Sequence, residues 1–355
     1  VILHDGVRAS DLAATAPDHG VTIDPLAARR IEIVRGPAAL LYGNNALGGV
    51  VHVLSDDVPL ARPLRAERSV SAQTESAMPG AAASLDLTAP LGRSDSTTGL
   101  VLRARLGGRT QQDQRLGAGA PFARLDNTSL DARHGVLGLG WVGREVTGGV
   151  AYRGYDFGYG MPVVSAGDEA VRLRGARHEL LARGELRRRV GVFEGARVDA
   201  SAQRYEHREL VQGETAMRLG ANTGMVQAVA RTRGAGPLRE GAVGVLGLFR
   251  DNGVDGELAL TPPNGGRSLG AFVYQELAPF ARGADRAAAA PDAAPDVATR
   301  APGRLAGVRV PFGLRYDAHV VESRASERFG AGRRRAFGGV SGSVGLRVPV
   351  GAGLS

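Results

Sequence analysis

Two pairs of adjacent side chains carry donor atoms that suit a metal ion. Asp18 and His19 lie between Ala16 and Gly20, and Glu206 is followed by His207. A carboxylate beside an imidazole suits Zn²⁺ or a similar divalent ion. For Asp18 and His19 the alternative is an ordinary solvated turn. For Glu206 and His207 the alternative is the solvated rim of a strand.

No arrangement of residues typical of covalent catalysis is present. The seven histidines are scattered, there is no cysteine, and neither a Ser/His/Asp set nor an H-E-x-x-H pattern occurs. The glycines from Gly43 to Gly49 do not have the spacing of a phosphate-binding loop. We therefore predict that the chain is not an enzyme and holds no resident cofactor.

The positive charge of the chain does not indicate nucleic-acid binding. The 355 residues carry a net charge of +8, and every basic residue other than histidine is arginine. The arginines are spread along strand-like runs, as at Arg103 and Arg105, and form no basic cluster interleaved with aromatic residues. Nucleic acid is therefore excluded as a partner. There is also no run of 18 apolar residues that would predict a transmembrane helix.

The first 58 residues combine short strand and helix signals. Asp24-Pro25 predicts a helix start, because aspartate accepts hydrogen bonds from free amides and proline suits the first helical position. The other predicted elements are a strand at Val1–Leu3 with a turn at Asp5-Gly6, a strand at Ile31–Val34, a short helix at Ala38–Tyr42 and a strand at Val50–Leu54. The pattern indicates a small mixed α/β unit.

The rest of the chain alternates with a period of two. We count about twelve segments of roughly ten residues, the length of a membrane-spanning strand. Some connections are tight, as at Gly92–Asp95, and others are long and polar, as at Asp251–Arg267. This pattern favours an outer-membrane barrel. Because aromatic residues make up only 5% of the chain, a soluble antiparallel sandwich or solenoid is the alternative.

The segment from Asp24 to Leu54 resembles the plug of TonB-dependent receptors. The residues that carry the resemblance are Arg35, Gly36, Pro37, Tyr42, Gly43, Gly48 and Gly49. We interpret them as residues that hold the fold of the plug rather than contact a ligand. Arg35 is expected to be buried and paired with a carboxylate.

The resemblance implies a mainly β chain, a fragment of an antiparallel transmembrane β-barrel of about 22 strands. Residues 1–60 are then the C-terminal part of the plug. Residues 61–355 form about the first twelve strands, with a low-complexity insertion at 283–303. The implied location is the bacterial outer membrane. The implied partners are outer-membrane lipid and TonB, which would engage a segment that precedes Val1.

Within this family the barrel segments look most like those of zinc-uptake receptors. The segments are Tyr159–Pro162, Ala202–Glu209 and Arg267–Phe272. That subgroup carries a similar Asp-His pair at the plug apex, completed by barrel residues. One departure is the loop Val163–Val171, which lacks the histidines found there in zinc receptors.

The expected function is therefore TonB-energised uptake of a scarce ligand, either a metal ion such as zinc or a metal chelate. The alternatives are a passive porin and a soluble β-rich adhesin or enzyme. Porins need no plug, so the plug segment weighs against the first of these.

Overall fold

The computed structural model describes residues 1–9, 20–36, 41–42, 49–92, 96–164, 169–256, 259–280 and 307–348. The low-complexity insertion 283–303 lies outside the described residues. No helix in the described part of the chain is long and apolar enough to cross a membrane.

A small four-stranded sheet forms the N-terminal unit. Its strands have the spatial order β2-β1-β4-β3, with β1 parallel to β4 and the other two pairs antiparallel. The strands are β1 (Ile2–His4), β2 (Val7–Arg8), β3 (Arg30–Val34) and β4 (Val50–Leu54). The three strand predictions in this region are confirmed, and each boundary lies within one residue of its predicted position.

The helical part of this unit is smaller than predicted. Asp24 does cap a helical start, and its carboxylate accepts a hydrogen bond from the Leu26 N–H at 2.9 Å. However, the chain continues only as a 3-10 turn over Pro25–Ala27, and Ala28 is already extended. The next β-strand starts at Arg30, so no room remains for a full turn of α-helix. Most of the second predicted helix, Ala38–Tyr42, lies outside the described residues.

A twelve-stranded antiparallel sheet makes up the rest of the described chain, as the sequence predicted. Each strand pairs with the next one along the chain, except that the short ribbon of β8 and β9 lies between β7 and β10. The strands are β5 (Glu67–Glu75), β6 (Gly80–Pro90), β7 (Gly99–Gln111), β8 (Gln114–Arg115), β9 (Arg124–Leu125), β10 (Leu130–Val142), β11 (Val146–Gly160), β12 (Val171–Leu186), β13 (Phe193–Val211), β14 (Glu214–Thr232), β15 (Leu238–Gly256), β16 (Asn264–Leu277), β17 (Val310–Ser323) and β18 (Arg333–Val344).

Several strands are longer than the predicted ten residues. Strands β13, β14 and β15 have 19 residues each. The predicted polar connection Asp251–Arg267 is mostly strand, because β15 continues to Gly256 and β16 begins at Asn264. Polar residues mark where a strand leaves an apolar environment, but backbone pairing with the neighbouring strands continues beyond that point.

The two faces of the large sheet differ in polarity. Apolar side chains on one face are exposed, as at Leu137, Leu180 and Val245. The other face buries charged groups, such as Arg153 and Glu179. A soluble sandwich buries its apolar face, so this pattern contradicts the soluble alternative and is typical of a membrane barrel.

The large sheet curves around the N-terminal unit, which lies against the polar face. We call this face of the large sheet the wall. One contact is apolar, because Val7 and Val58 pack on four residues of the wall. These are Ala151 on β11, Leu181 on β12, Met225 on β14 and Leu246 on β15. Strands further along the chain reach the unit too. Burial, together with the charges of Arg315 on β17 and Arg250 on β15, lowers the pKa of Arg8 to about 10.

Candidate functional site

The turn after β1 carries a buried carboxylate that fixes the end of the small sheet. Asp5 and Gly6 both have positive φ angles, and Asp5 is 3% exposed. The Asp5 Oδ1 atom accepts hydrogen bonds from the Ser55 N–H at 2.8 Å and the Asp56 N–H at 3.0 Å. The turn is therefore tied to the segment that leads from β4 towards the large sheet.

Two wall arginines meet the carboxylates of this unit. The Arg105 guanidinium on β7 donates to Asp57 Oδ1 at 3.0 Å and to the Ser55 carbonyl at 3.2 Å. The Arg153 guanidinium on β11 lies 3.4 Å from Asp57 Oδ2 and 3.9 Å from Asp5 Oδ2. Charges from both units thus neutralise each other in a region closed to water.

The wall supplies its own counter-charges to the same arginines. Asp86 on β6 accepts from Arg105 Nε at 2.8 Å, and Glu179 on β12 lies 3.5 Å from Arg153 Nε. Each arginine therefore keeps a carboxylate partner on the wall if the small unit moves. We call Asp5, Asp57, Arg105, Arg153 and Glu179 the central ion cluster.

Burial sets the protonation of the groups in this region. Burial lowers the pKa of His4 well below its usual value of 6.5, and the positive charge of Arg153 adds to the effect. Burial raises the pKa of Asp57, whereas the charges of Arg153 and Arg105 oppose that increase. His4 is therefore a neutral ring, and the Ser55 hydroxyl lies within hydrogen-bonding distance of its Nε2.

His4, Asp5 and Asp57 form the single group of three metal-binding side chains in the described part of the chain, with donor atoms within 4.8 Å of one another. Their arrangement does not favour a metal ion. The free Oδ2 atoms of both carboxylates face the Arg153 guanidinium. A divalent ion at this point would be repelled by Arg153 and Arg105. The guanidinium of Arg153 already fills the position of a cation.

A second set of contacts joins the β1 turn to strands β12 and β13. The Arg183 guanidinium binds the Asp5 carbonyl and the Asp199 carboxylate, the latter at 2.5 Å. Arg197 binds the other oxygen of Asp199 at 2.7 Å. A cavity of about 310 Å³ lies next to these residues and is also lined by Tyr42 and His52. The wall therefore binds both the side chain and the backbone of the turn.

A third contact lies at the capped 3-10 turn. The Asp24 carboxylate accepts from Leu26 and lies 3.4 Å from Arg109 Nη2 on β7. It also lies 3.9 Å from His134 Nδ1 on β10. Asp24 therefore has two roles, because it caps the turn and also faces Arg109 and His134 on the wall.

Aromatic rings line the concave wall beyond this third contact. Tyr155, Phe157 and Tyr159 occupy alternate positions on β11, with successive ring centres 6.1 and 5.9 Å apart. Phe157 stacks on Tyr205 of β13 at 6.1 Å, and Tyr205 meets His207 edge to face at 5.6 Å. We call these five residues the aromatic wall.

Among the described residues, Gly20 of the small unit contacts the aromatic wall. The Gly20 N–H donates a hydrogen bond to the Tyr159 hydroxyl at 2.9 Å. Gly20 follows directly after the pair Asp18 and His19, which lie outside the described residues. The predicted metal-binding pair thus directly precedes in sequence a residue, Gly20, that contacts the aromatic wall.

The other predicted metal pair is not brought together by the structure. Glu206 and His207 are neighbours within β13 rather than at its end, so their side chains point to opposite faces. Glu206 is exposed and lies 3.3 Å from Arg204, whereas the His207 side chain is buried and lies 3.6 Å from Glu209. The two residues cannot bind one ion together in this arrangement.

The residues of the predicted plug motif are only partly described, since Pro37, Gly43 and Gly48 fall outside. Gly49 has a φ of +114°, and a Cβ atom there would lie 2.8 Å from the Val34 carbonyl oxygen, so only glycine fits. Gly36 also has a positive φ, of +76°. Both support a structural role for these glycines. The expectation that Arg35 is buried is wrong, because it follows the edge strand β3 and is exposed.

The sequence reasoning missed the central ion cluster. Arg103 and Arg105 were noticed as alternate positions of one strand, which correctly indicates that they share a face. The acidic partners Asp5 and Asp57 gave no signal, because nothing in their immediate neighbours distinguishes them from surface carboxylates. Arginines at inward-facing positions of successive strands are a signal that points to two of its five members, Arg105 and Arg153.

Comparison with known proteins identifies the N-terminal unit. Residues 1–50 match the family model described as the TonB-dependent Receptor Plug Domain. A hemin receptor of Yersinia pestis is 55% identical over 49 residues, which is 14% of this chain and 7% of the receptor. The vitamin B12 transporter BtuB of Vibrio vulnificus is 42% identical over 53 residues, 15% of this chain and 8% of the transporter.

The whole described fold also has solved counterparts. The structure of the copper transporter OprC superposes with a TM-score of 0.72 at 17% identity, over 97% of this chain and 51% of that one. The chain therefore spans about half the length of that structure. The predicted fold and outer-membrane location are confirmed, and these relatives are receptors and transporters, not enzymes. The zinc-uptake subgroup is not confirmed by them.

Proposed function

We propose that this chain forms the plug and part of the barrel wall of a TonB-dependent outer-membrane receptor that takes up a metal chelate. The observation that carries the choice of a chelate is the aromatic wall. The stacked rings form an apolar patch, exposed mainly at Tyr159, that suits an organic ligand. A bare ion requires several convergent donor atoms instead.

The donor groups on the concave face do not favour a bare ion. The three-donor group of the described residues, His4, Asp5 and Asp57, is neutralised by Arg153. The aromatic wall offers ring carbon atoms instead, with one buried cation, Arg177, in register between Tyr155 and Tyr205. A ligand with an aromatic or macrocyclic chelator would bury apolar surface there and leave its metal coordinated by its own atoms.

The names of two sequence relatives agree with such a ligand, whereas the structural relative OprC is named for copper. The sequence matches are to a hemin receptor and a vitamin B12 transporter, whose named ligands are both metal macrocycles. We infer that this chain uses its concave face for a ligand of the same chemical class. Direct uptake of zinc through Asp18 and His19 is the second candidate, and it is favoured by their position next to Gly20, which contacts the aromatic wall.

The contacts between the plug and the wall suit release by a pulling force. They are mainly ion pairs and hydrogen bonds, and Arg105 and Arg153 keep wall partners once the plug carboxylates leave. Ion pairs and hydrogen bonds can break one at a time, and the wall carboxylates keep both arginines paired as they do. We propose that TonB, acting on the plug, provides that force.

The test is equilibrium binding by the full-length protein in detergent, with hemin, cobalamin, a ferric catecholate chelate and Zn²⁺ as separate ligands. We expect one of the chelates to bind. Phe157→Ala combined with Tyr205→Ala should weaken binding about tenfold or more, since each ring contributes about 1 kcal/mol or more. Tyr152→Ala is the matched control, because Tyr152 lies on the same strand β11 but is exposed on the opposite face.

Two results would contradict the proposal. One is chelate binding that is equally strong in the double variant and in the control. The other is tight binding of Zn²⁺ alone, lost in the variant that combines Asp18→Ala with His19→Ala. The second result would establish the zinc candidate in place of the chelate.

A further inference from the structure

Three arginines on the convex face of the large sheet stand directly opposite one another. Arg174 on β12 pairs in register with Arg208 on β13, and Arg208 pairs with Arg218 on β14. All three are exposed. Neighbouring strands are about 4.8 Å apart, and like charges directly opposite each other destabilise a sheet. We call these residues the arginine row.

The arginine row lacks enough acidic partners among the described residues. None of its members forms an ion pair there. Glu206, two residues from Arg208, is within 3.3 Å of Arg204 instead. Asp255 on β15 pairs in register with Arg218, which leaves the other two arginines without an opposite charge in the row. An anion from outside the chain would relieve this repulsion.

A depression of about 660 Å³ lies beside the arginine row. All three arginines line it, together with Arg324, the carboxylates of Glu206 and Asp255, and the glycines Gly220 and Gly253. A Cβ atom on Gly253 would meet nothing within 4 Å, and one on Gly220 would meet only a backbone oxygen at 3.9 Å. The glycines therefore leave open space between charged walls, in which a group the size of a phosphate fits.

The exposed apolar residues of the convex face, such as Leu137, Leu180 and Val245, form its apolar zone. The arginine row lies beyond one edge of this zone. Along β12, Arg174 is followed on the same face by Ala176, His178 and then the exposed Leu180. At the end nearer the arginine row, the connections include 112–129, 161–170 and 324–332, with 76–79 and 212–213 as the short exceptions. At the other end they include 143–145, 187–192 and 233–237, with 278–309 as the long exception. Long loops mark the extracellular end of an outer-membrane barrel, so the row lies at the outer leaflet.

We propose that Arg174, Arg208 and Arg218 bind the phosphorylated headgroup of an outer-leaflet lipid. Guanidinium groups bind phosphate oxygens with two parallel hydrogen bonds each, and three adjacent groups match a headgroup with more than one phosphate. The lipid chains would then lie against the exposed apolar residues further along the same strands, such as Leu180. This site is separate from the proposed chelate site, which lies on the opposite face.

The test compares lipid binding by the full-length protein and by two variants with equal loss of charge. The first variant carries Arg174→Gln, Arg208→Gln and Arg218→Gln. The control carries Arg187→Gln, Arg188→Gln and Arg189→Gln, three exposed arginines at the other end of the sheet. Native mass spectrometry and a fluorescence titration would measure the binding of diphosphoryl lipid A in detergent, and thermal unfolding would confirm that both variants fold.

We expect the first variant to bind lipid A at least about tenfold more weakly, and the control to bind as the unmodified protein does. Millimolar inorganic phosphate should not displace the lipid, because it lacks the chains that contact the apolar zone. Equal binding by the first variant and the unmodified protein, or equal weakening in both variants, would overturn the proposal. Displacement by inorganic phosphate would show that the row binds free phosphate rather than lipid. If the first variant does not fold, Arg208→Gln alone, compared with Arg188→Gln, applies the same criterion.

Discussion

The concave and convex faces of the large sheet are built from the same strands. The concave face buries charged side chains, whereas the convex face exposes apolar ones. On β12, Glu179 and Leu181 are buried against the plug, whereas Leu180 between them is 60% exposed. The exposed position is apolar, and one of the buried positions is charged. In a water-soluble protein this order would be reversed.

The difference shows what surrounds each face. A charge can be buried on the concave face because the plug brings an opposite charge to it, as Asp57 does for Arg105 and Arg153. An apolar residue can be exposed on the convex face because lipid, rather than water, covers it. Removing a charge should therefore destabilise the protein on the concave face, and adding a charge should destabilise it on the convex face.

The largest effect is expected from removing a carboxylate on the concave side. Asp57→Asn leaves Arg105 and Arg153 buried with one charged partner fewer each. Loss of one partner from a buried ion pair costs about 3–5 kcal/mol, so the free energy of unfolding should fall by about 3 kcal/mol. Chemical unfolding of the detergent-solubilised protein measures this change.

Asp56→Asn is the matched control for that variant. Asp56 is adjacent, but its side chain is 56% exposed and pairs with Arg29 at the surface. Equal destabilisation by the two substitutions would mean that the burial of Asp57 has no energetic consequence.

The next largest effect is expected from adding a charge to the convex face. Leu180→Arg places a guanidinium in the apolar zone, and an arginine near the bilayer midplane costs about 2–4 kcal/mol. Urea titrations of folding into phospholipid vesicles would show the loss. Leu180→Met should fold as the unmodified protein does, since it keeps the apolar character. If the arginine variant were as stable as the methionine variant, lipid would not cover this face.

A smaller effect is expected from pH on the plug. The pKa of His4 is lowered by burial, so the folded protein binds fewer protons than the unfolded chain at pH values between the lowered pKa and 6.5. Stability should therefore decrease as the pH falls below 6.5. His52 adds to the same trend, because burial lowers its pKa too.

The variant His4→Gln isolates the contribution of His4. Its stability should change less than that of the unmodified protein between pH 7 and pH 5, measured as thermal unfolding at matched ionic strength. Parallel pH profiles for the two proteins would exclude His4 as the source of the dependence.

The smallest effect is expected at the exposed ion pair between Arg29 and Asp56. Their nitrogen and oxygen atoms are 3.0 Å apart, but both side chains are more than half exposed. Exposed pairs contribute little, so Arg29→Gln should change the free energy of unfolding by less than about 0.5 kcal/mol. A loss as large as that of Asp57→Asn would show that burial is not what separates the two kinds of ion pair.

Much of the fold was predictable because its signals are local. Alternation with a period of two marks a strand whatever it packs against, and it predicted about twelve strands. Asp24-Pro25 correctly predicted a capped turn. The predicted α-helix after it was wrong, because local signals mark where a helix begins but not that β3 starts only three residues after Ala27.

The candidate site was less predictable than the fold. The pair Glu206 and His207 looked like two donors because they are adjacent in sequence, but adjacency within a strand places side chains on opposite faces. Arg35 was expected to be buried because it lies within a recognisable motif. Its exposure follows from the position of β3 at the edge of the small sheet, which the motif does not reveal.

The sequence by itself determined the plug segment, the number of strands in the large sheet and the side chains that share a face along each strand. These properties depend on patterns within single segments of the chain. The tertiary structure alone decided which plug groups meet which wall groups. The contact between Asp57 and Arg105 joins residues 48 positions apart, and that between Asp5 and Arg183 joins residues 178 apart. Such pairs depend on how the plug is seated in the curved sheet, and no local preference encodes that placement.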